Sequence, residues 1–337
     1  MYNYCRLKLN YYKNFKEARM NSSCFSFQGR ENVKINVYKW EPENKKHIKG
    51  VIQIAHGMAE TASRYERFAA YLNDNGYIVY ANDHRGHGKS ALSIDRLGYL
   101  GEEDGFMSMV EDVHTLNSKI KYENKGLPVF LLGHSMGSFI SQRYIQLYGK
   151  ELQGVILVGT NGNQGSILNL AILISKLEMR FRGREHKSNL LNNLSFGGFN
   201  KRFRPNRTEF DWLSRDNKEV DKYIDNKYCG TVFPTSFFHD FFKGLKSIWK
   251  EENKSNIPKD VPILIVSGDK DPVGNFGKGI LNLYNFYKNI DVEDVKYKLY
   301  KDGRHEILNE INRKEVFKDL LDWIEDKYKF YKINKGL

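Results

Sequence analysis

Cysteine is scarce: Cys5, Cys24 and Cys229 are the only three, an odd number with no C-x-x-C spacing. That argues against both a disulfide framework and a thiolate zinc site. No apolar run approaches the about 18 uncharged residues a membrane span needs. The segment Met1–Met20 is basic and tyrosine-rich (Tyr2, Tyr4, Tyr11, Tyr12) but lacks the continuous apolar stretch of a signal peptide. The expected compartment is the cytoplasm. Also missing are H-E-x-x-H, the phosphate-cradling G-x-x-x-x-G-K-[ST], and a G-x-G-x-x-G opening a βαβ unit. No metal or nucleotide cofactor is therefore expected. Acidic residues are outnumbered, 41 Asp+Glu against 53 Lys+Arg, for a net charge of +12. There is neither a zinc-finger spacing nor a basic heptad region, so the excess does not support a nucleic-acid partner. Lys, Asn, Tyr, Ile and Phe are abundant together, as an AT-rich genome would give.

The chain contains 337 residues, 40% of them hydrophobic, enough for one large domain or a core carrying an insertion. Short apolar runs alternate with longer helical patterns, the rhythm of βαβ units. Cys24 to Phe27 and Val33 to Trp40 read as an opening hairpin, and Gly50 to Ala55 as a buried strand. A helix over Ala62 to Asn73, a strand over Tyr77 to Ala81 and a helix over Met107 to Tyr122 follow. Next come a strand over Pro128 to Leu132, a helix over Ser135 to Leu147 and a strand over Val155 to Val158. From Asn161 to Asn256 the alternation stops. It resumes with a strand over Val261 to Val266, a helix over Gly279 to Tyr287, a strand over Val295 to Tyr300 and a helix over Ile311 to Tyr328. The simplest architecture is one parallel-sheet domain interrupted by an insertion.

Between a strand and the helix after it stands Gly133-His134-Ser135-Met136-Gly137. This is a G-x-S-x-G nucleophile elbow in its confirming context. Small residues let strand and helix approach, and a sharp turn aims the Ser135 hydroxyl over the positive end of the helix. A serine hydroxyl needs a base. Of nine histidines, His305 lies between the last strand and the last helix, where a loop reaches the carboxyl edge of the sheet. His134 should point away from Ser135, while His56, His84 and His87 are expected to scaffold loops through hydrogen bonds. The acid should follow the preceding strand, in Ser267-Gly268-Asp269-Lys270-Asp271-Pro272; Asp271, at the turn into Pro272, is preferred and Asp269 is the fallback. The order Ser, Asp, His suits this kind of sheet. The oxyanion would take backbone N–H groups from Met136, in the elbow, and from Met58, in the turn after the strand ending at Ala55.

Together these segments resemble the α/β-hydrolase superfamily, and within it the monoacylglycerol lipase and lysophospholipase branch often labelled with the serine aminopeptidases. The blocks are His56-Gly57-Met58 with Ser63-Arg64-Tyr65, Asp83-His84-Arg85-Gly86-His87-Gly88-Lys89-Ser90, the Ser135 elbow, Gly268 to Gly274, and Gly303 to Ile307. The resemblance covers about Ser22 to Tyr328. It implies a mostly parallel central sheet flanked by helices, a mobile inserted helical cap, Ser135, Asp271 and His305 as the triad, and cofactor-free hydrolysis of carboxylic esters. The corresponding division is an N-terminal extension (residues 1–21), core (22–160), cap insertion (161–256) and core (257–337). Met1–Arg19 matches nothing in the pattern and is expected to be dispensable, with Met20 an alternative start.

The expected activity is hydrolysis of a single-acyl lipid ester, a monoacylglycerol or lysophospholipid, through an acyl-enzyme. Amide or aminopeptidase chemistry on the same fold is the alternative, and a catalytically silent binding module a more distant one. The insertion carries twelve phenylalanines and tryptophans, from Phe181 to Trp249, most of which are expected to form the cap's own core while the rest line an acyl site. Its basic residues, among them Arg180, Arg182, Arg184, Lys187, Lys201, Arg202, Arg204 and Arg207, fit either a solvated face or peripheral contact with an anionic membrane.

Overall fold

The computed structural model describes residues 20–336. Strands β1 (Met20–Gln28) and β2 (Lys34–Pro42) form the expected hairpin, and β3 (Gly50–Ala55) coincides with its expected span. Helix α1 (Glu66–Asp74) starts later than the apolar spacing suggested, because Ala62–Tyr65 makes a 3-10 turn whose Ala62 N–H donates to Asp83 and whose Ser63 N–H donates to the Thr61 hydroxyl. Then follow β4 (Tyr77–Asn82), α2 (Gly105–Glu123), β5 (Val129–His134), α3 (Met136–Tyr148) and β6 (Gly154–Val158). The insertion supplies α4 (Ile167–Arg182), α5 (Asn189–Phe196), α6 (Asn217–Ile224), α7 (Thr235–Ile248) and the short α8 (Glu251–Lys254). The chain closes with β7 (Ile263–Gly268), α9 (Lys278–Asn289), β8 (Val295–Tyr300) and α10 (Arg313–Lys335).

The eight strands form one sheet in the order β1-β2-β4-β3-β5-β6-β7-β8. β1 pairs antiparallel with β2, and β2 with β4; every other pairing is parallel. Parallel strands covered on both faces require apolar residues at consecutive positions, which is why β5, β6 and β7 read as continuous apolar runs, while the single polar residue of β3, Gln53, is buried and donates to the Val113 carbonyl. Their side chains still alternate with period two. Val51, Leu131, Val155 and Ile263 enter one buried cluster with α2, α3 and α9, whereas Ile52, Phe130, Ile156 and Leu264 enter another with α1 and α10.

Three expectations change. Residues 1–19 of the expected N-terminal extension lie outside the described residues, but its last two, Met20 and Asn21, are paired with Pro42 and Glu41 in β1. The most deeply buried aromatics of the insertion do not form a separate cap core. Phe233, Phe237 and Phe238 are fully buried in the same cluster as Phe106 of α2 and Phe139 of α3, so α7 belongs to the helical layer against the sheet. What remains above the carboxyl edge is α4, α5 and α6 with their connections. Finally, α10 runs on to Lys335, well past the expected end at Tyr328.

Candidate active site

At the end of β5, Ser135 takes φ 52° and ψ −118°, a positive φ that costs a non-glycine residue on the order of 1–3 kcal/mol. Its surroundings enforce that conformation. The Ser135 N–H donates to the Val158 carbonyl at 2.9 Å, and the Ser138 hydroxyl and N–H donate back to the Ser135 carbonyl at 2.6 and 2.9 Å. Any side chain on Gly137 would collide with the Ala55 carbonyl at the end of β3, which is the physical reason for glycine there. The elbow thus presses the N-terminus of α3, where the first N–H groups point out of the helix, against the ends of β3 and β5. Met136 is the first of those groups.

The turn after β3 lies beside the serine: a Cβ placed on Gly57 would sit 3.2 Å from the Ser135 Cβ. The turn is held from within, His56 Nδ1 donating to the Gly57 carbonyl at 2.7 Å and the Gly57 N–H donating to Glu60 Oε1 at 2.6 Å. Met58 is the next residue in this turn.

Asp271 and His305 meet beside this elbow. His305 Nδ1 donates to Asp271 Oδ1 at 3.0 Å, and both side chains are buried. The other Asp271 oxygen accepts from the Ser267 hydroxyl at 2.8 Å, and the Val273 N–H donates to Oδ1 at 2.9 Å. Burial raises the Asp271 pKa, but the His305 partner and these donors outweigh it and leave the carboxyl below its ordinary value. Asp269, the fallback acid, instead accepts from the half-exposed Lys270 ammonium at 3.3 Å. Ser135 and His305 flank the end of β6. Val158 accepts the Ser135 N–H, and a Cβ on the next residue, Gly159, would sit 3.1 Å from the His305 ring. No direct hydrogen bond joins Ser135 Oγ to His305 among the described residues; such contacts commonly tighten only with substrate in place.

Sequence reasoning missed the ionic group that braces these loops. Arg64 forms a two-pronged contact with Glu306, at 2.7 and 2.6 Å, and also donates to Glu60 Oε2 at 2.6 Å. Glu60 Oε1 further accepts from Tyr65 at 2.9 Å and meets His134 Nδ1 at 3.1 Å. One cluster thereby fixes the Gly57 turn, the residue before the nucleophile and the residue after His305. Burial alone would raise the Glu60 pKa; the Arg64 guanidinium and His134 hold it well below the usual carboxylate range. Burial would lower the pKa of His134, and its bond to Glu60 brings it above the ordinary imidazole value instead. The i, i+4 spacing of Glu60 and Arg64 was the one signal in the sequence. The His134 ring meets Glu60 through Nδ1 and packs on His305 with centroids 4.9 Å apart.

The remaining histidines behave unequally. The His84 N–H donates to His56 Nε2 at 2.9 Å, and His87 Nδ1 contacts the Arg85 carbonyl at 2.9 Å, so His56 and His87 brace the loops. The His84 ring makes no hydrogen bond at either nitrogen, contrary to the scaffolding expected of it. It packs 4.4 Å from the His56 ring. Desolvation depresses all three pKa values, that of His87 to about 3, which keeps the rings neutral. Among the described residues, no group of three or more His, Cys, Asp or Glu side chains is placed to hold a metal ion.

Comparisons with known proteins agree with this geometry. The family model described as "Serine aminopeptidase, S33" matches residues 46–312. A monoacylglycerol lipase of Mycolicibacterium smegmatis is 30% identical over 304 residues, covering 89% of this chain and 95% of that protein. The monoglyceride lipase of Homo sapiens is 26% identical over 294 residues, 86% of each chain. A thermostable carboxyl esterase from Bacillus coagulans, solved with glycerol, superposes with a TM-score of 0.84 at 29% identity, covering 91% of this chain and 99% of that one. With an α/β-hydrolase sheet, an inserted helical cap and a family match over most of its length, the chain belongs to the serine aminopeptidase S33 family.

Proposed function

We propose that this carboxylic-ester hydrolase of the monoacylglycerol lipase type cleaves a single-acyl lipid ester, a monoacylglycerol or lysophospholipid, through a covalent acyl-enzyme on Ser135. The observation that carries the reading is the buried Asp271–His305 pair at the same sheet edge as the strained Ser135 elbow. His305 takes the Ser135 proton as the hydroxyl attacks the ester carbonyl, and Asp271 fixes the tautomer and stabilises the imidazolium. The tetrahedral oxyanion is received by the N–H groups of Met58 and Met136, and loss of one such donor costs about 3 kcal/mol in the barrier. His305 returns the proton to the departing alcohol, and water repeats the sequence on the acyl-enzyme.

Ester rather than aminopeptidase chemistry is favoured by the state of the nearby carboxylates. Glu60 and Glu306 are both taken up by Arg64, leaving neither to hold a substrate ammonium.

The cap meets a lipid surface in this reading. Leu170, Leu173, Leu177 and Phe181 share one face of α4 and are exposed, Phe181 to 80%, alongside Leu194 of α5 at 63%. A contiguous apolar face of this kind marks an interaction surface. The basic residues divide. Arg184 donates to the Gly101 and Glu102 carbonyls at 3.2 and 2.6 Å, Lys187 to the Leu97 carbonyl at 2.5 Å, and Arg207 pairs with Asp221 at 2.6 Å, so these three secure the cap. Exposed Arg180 and Arg182 lie beside Phe181 and suit anionic headgroups. The test is a panel of monoacylglycerols, lysophospholipids, p-nitrophenyl esters and aminoacyl amides on wild type and Ser135→Ala. Turnover of single-acyl lipids, lost in the variant, supports the reading; preferred turnover of aminoacyl amides refutes it.

A further inference from the structure

The cap is attached to the catalytic edge very unevenly, and its firmest attachment falls on the base. The segment 211–216, inside the insertion, runs alongside residues 304–313. The His305 N–H donates to the Trp212 carbonyl at 3.3 Å and the Glu306 N–H to the Leu213 carbonyl at 2.7 Å. On one side of these bonds Arg304 Nη1 donates to the Asp211 and Ser214 carbonyls. On the other, the Ser214 hydroxyl donates to the Asn309 carbonyl at 2.9 Å and Arg215 pairs with Glu310 at 2.9 Å. This strip of cap is a template for the histidine loop.

One side chain of the strip reaches the imidazole itself. The Trp212 ring lies 5.0 Å from that of His305, tilted 37°. It also packs edge-on to Phe199, 5.0 Å away, and parallel to Phe196, the last residue of α5, at 6.4 Å. The Trp212 backbone N–H donates to Asn200 Oδ1 at 2.9 Å. Trp212 is therefore fixed at its backbone, packed on its far side by the end of the exposed cap helix, and set against the base on its near side.

We propose that Trp212 is a positioning residue for His305, holding the imidazole at the angle from which it serves Ser135 and transmitting to it the seating of α5. The inference rests on His305 being the base. Asp271 fixes one ring nitrogen and the His134 ring packs 4.9 Å away; the tilted Trp212 ring, 5.0 Å away, restricts the swing about the Asp271 bond that remains. Because the task is orientation, removal of Trp212 acts on turnover rather than on substrate affinity, and a flat aromatic replacement restores more than an apolar one of similar bulk.

The experiment compares Trp212→Ala, Trp212→Leu and Trp212→Phe in the full chain, on a short soluble p-nitrophenyl ester that does not need a lipid surface. kcat and KM are measured separately, and the downfield proton resonance of the His305–Asp271 hydrogen bond is followed. The expected result is a fall in kcat of about tenfold or more for Ala and Leu with KM little changed, since misplacement of a reacting group by about 1 Å costs up to about a hundredfold. The downfield resonance should broaden in the same two variants, and Phe should recover most of both signals. Unchanged kcat in Ala, a change confined to KM, or an undisturbed resonance would overturn the proposal. If Ala fails to fold, Leu against Phe decides it: equal kcat in those two overturns it. His305→Ala separates the two readings. Activity in His305→Ala refutes the base assignment, whereas an inactive His305→Ala beside unaffected Trp212 variants refutes only the role of Trp212.

Discussion

The carboxyl edge of the sheet and the cap above it solve opposite problems with the same kinds of residue. At the edge, charged and polar side chains are buried and interlocked: Arg85 and Asp112 are fully enclosed in a two-pronged pair, and Arg64 joins two carboxylates from distant parts of the chain. On α4 and α5, large apolar side chains are left in the open, Leu170 to 55% and Phe181 to 80%. Burying charge requires that every partner be present, so the edge is rigid and intolerant of deletion. Exposed leucine and phenylalanine leave the cap face open to an apolar partner, which under the proposed function is a lipid surface. In the proposed function, rigidity falls where a proton would move between fixed atoms and adaptability where a lipid would enter.

The contrast is broken most severely at the edge. Ser135→Ala and His305→Ala should each lower ester turnover by about 10⁵-fold or more while circular dichroism shows an intact fold, because the triad acts as a unit. Asp271→Asn should cost about 10⁴-fold through loss of tautomer control, whereas Asp269→Asn, next to Lys270 at the surface, should leave turnover near wild type. If Asp269→Asn proved the more damaging change, the assignment of the acid would be wrong.

A smaller but still large effect is expected behind the site. Arg64→Met leaves Glu60 and Glu306 buried without their cation, and denaturant unfolding should show a loss of about 3–5 kcal/mol. The same cluster gives the protein's stability a dependence on pH. Glu60 has a depressed pKa, so its contribution is present above its unfolded value and is lost as pH falls through the folded one. His134 has a raised pKa, so its contribution is complete below about 6.5, the unfolded value, and disappears as pH rises through the folded one. Melting temperatures should fall on both sides of a plateau, and His134→Gln should flatten the alkaline decline while weakening the acidic one only in part, since Arg64 still lowers the Glu60 pKa. An unchanged alkaline decline in His134→Gln would show that His134 is not its source.

The mildest forecast concerns the cap. Reversing Arg180 and Arg182 to Glu should weaken binding to anionic vesicles, each charge contributing about 1 kcal/mol near such a surface, with soluble short-chain esters little affected. Arg184 is left intact in that experiment because it ties the cap to Gly101 and Glu102. Equal vesicle binding by wild type and variant at low salt would reduce the two arginines to a solvated face.

The same contrast accounts for what could be read from the residues. The elbow, the buried strands and the acid and histidine loops depend on near neighbours in the chain, since a strand signature, two glycines and a serine suffice to specify a turn. Asp271 was preferred over Asp269 by its place in a six-residue loop, and it is the carboxylate that meets His305. The cap depends on partners far away. Nothing local to Phe237 says that it packs with Phe139, and nothing local to Trp212 says that its carbonyl receives the N–H of His305. Glu306 was visible only as the neighbour of His305, since its partner Arg64 lies 242 residues earlier. Aromatic content alone could not divide core helix α7 from the helices above the site.

The central claim, a serine nucleophile hydrolysing single-acyl lipid esters, is tested most directly by one paired assay. Wild type and Ser135→Ala are exposed to a fluorophosphonate probe and, in parallel, to a monoacylglycerol. The account expects stoichiometric labelling and glycerol release by wild type, each blocked by the other reagent and both absent in Ser135→Ala. Labelling that persists in Ser135→Ala, or wild-type protein that takes the probe yet releases no glycerol from monoacylglycerol and no headgroup alcohol from a lysophospholipid, would contradict it.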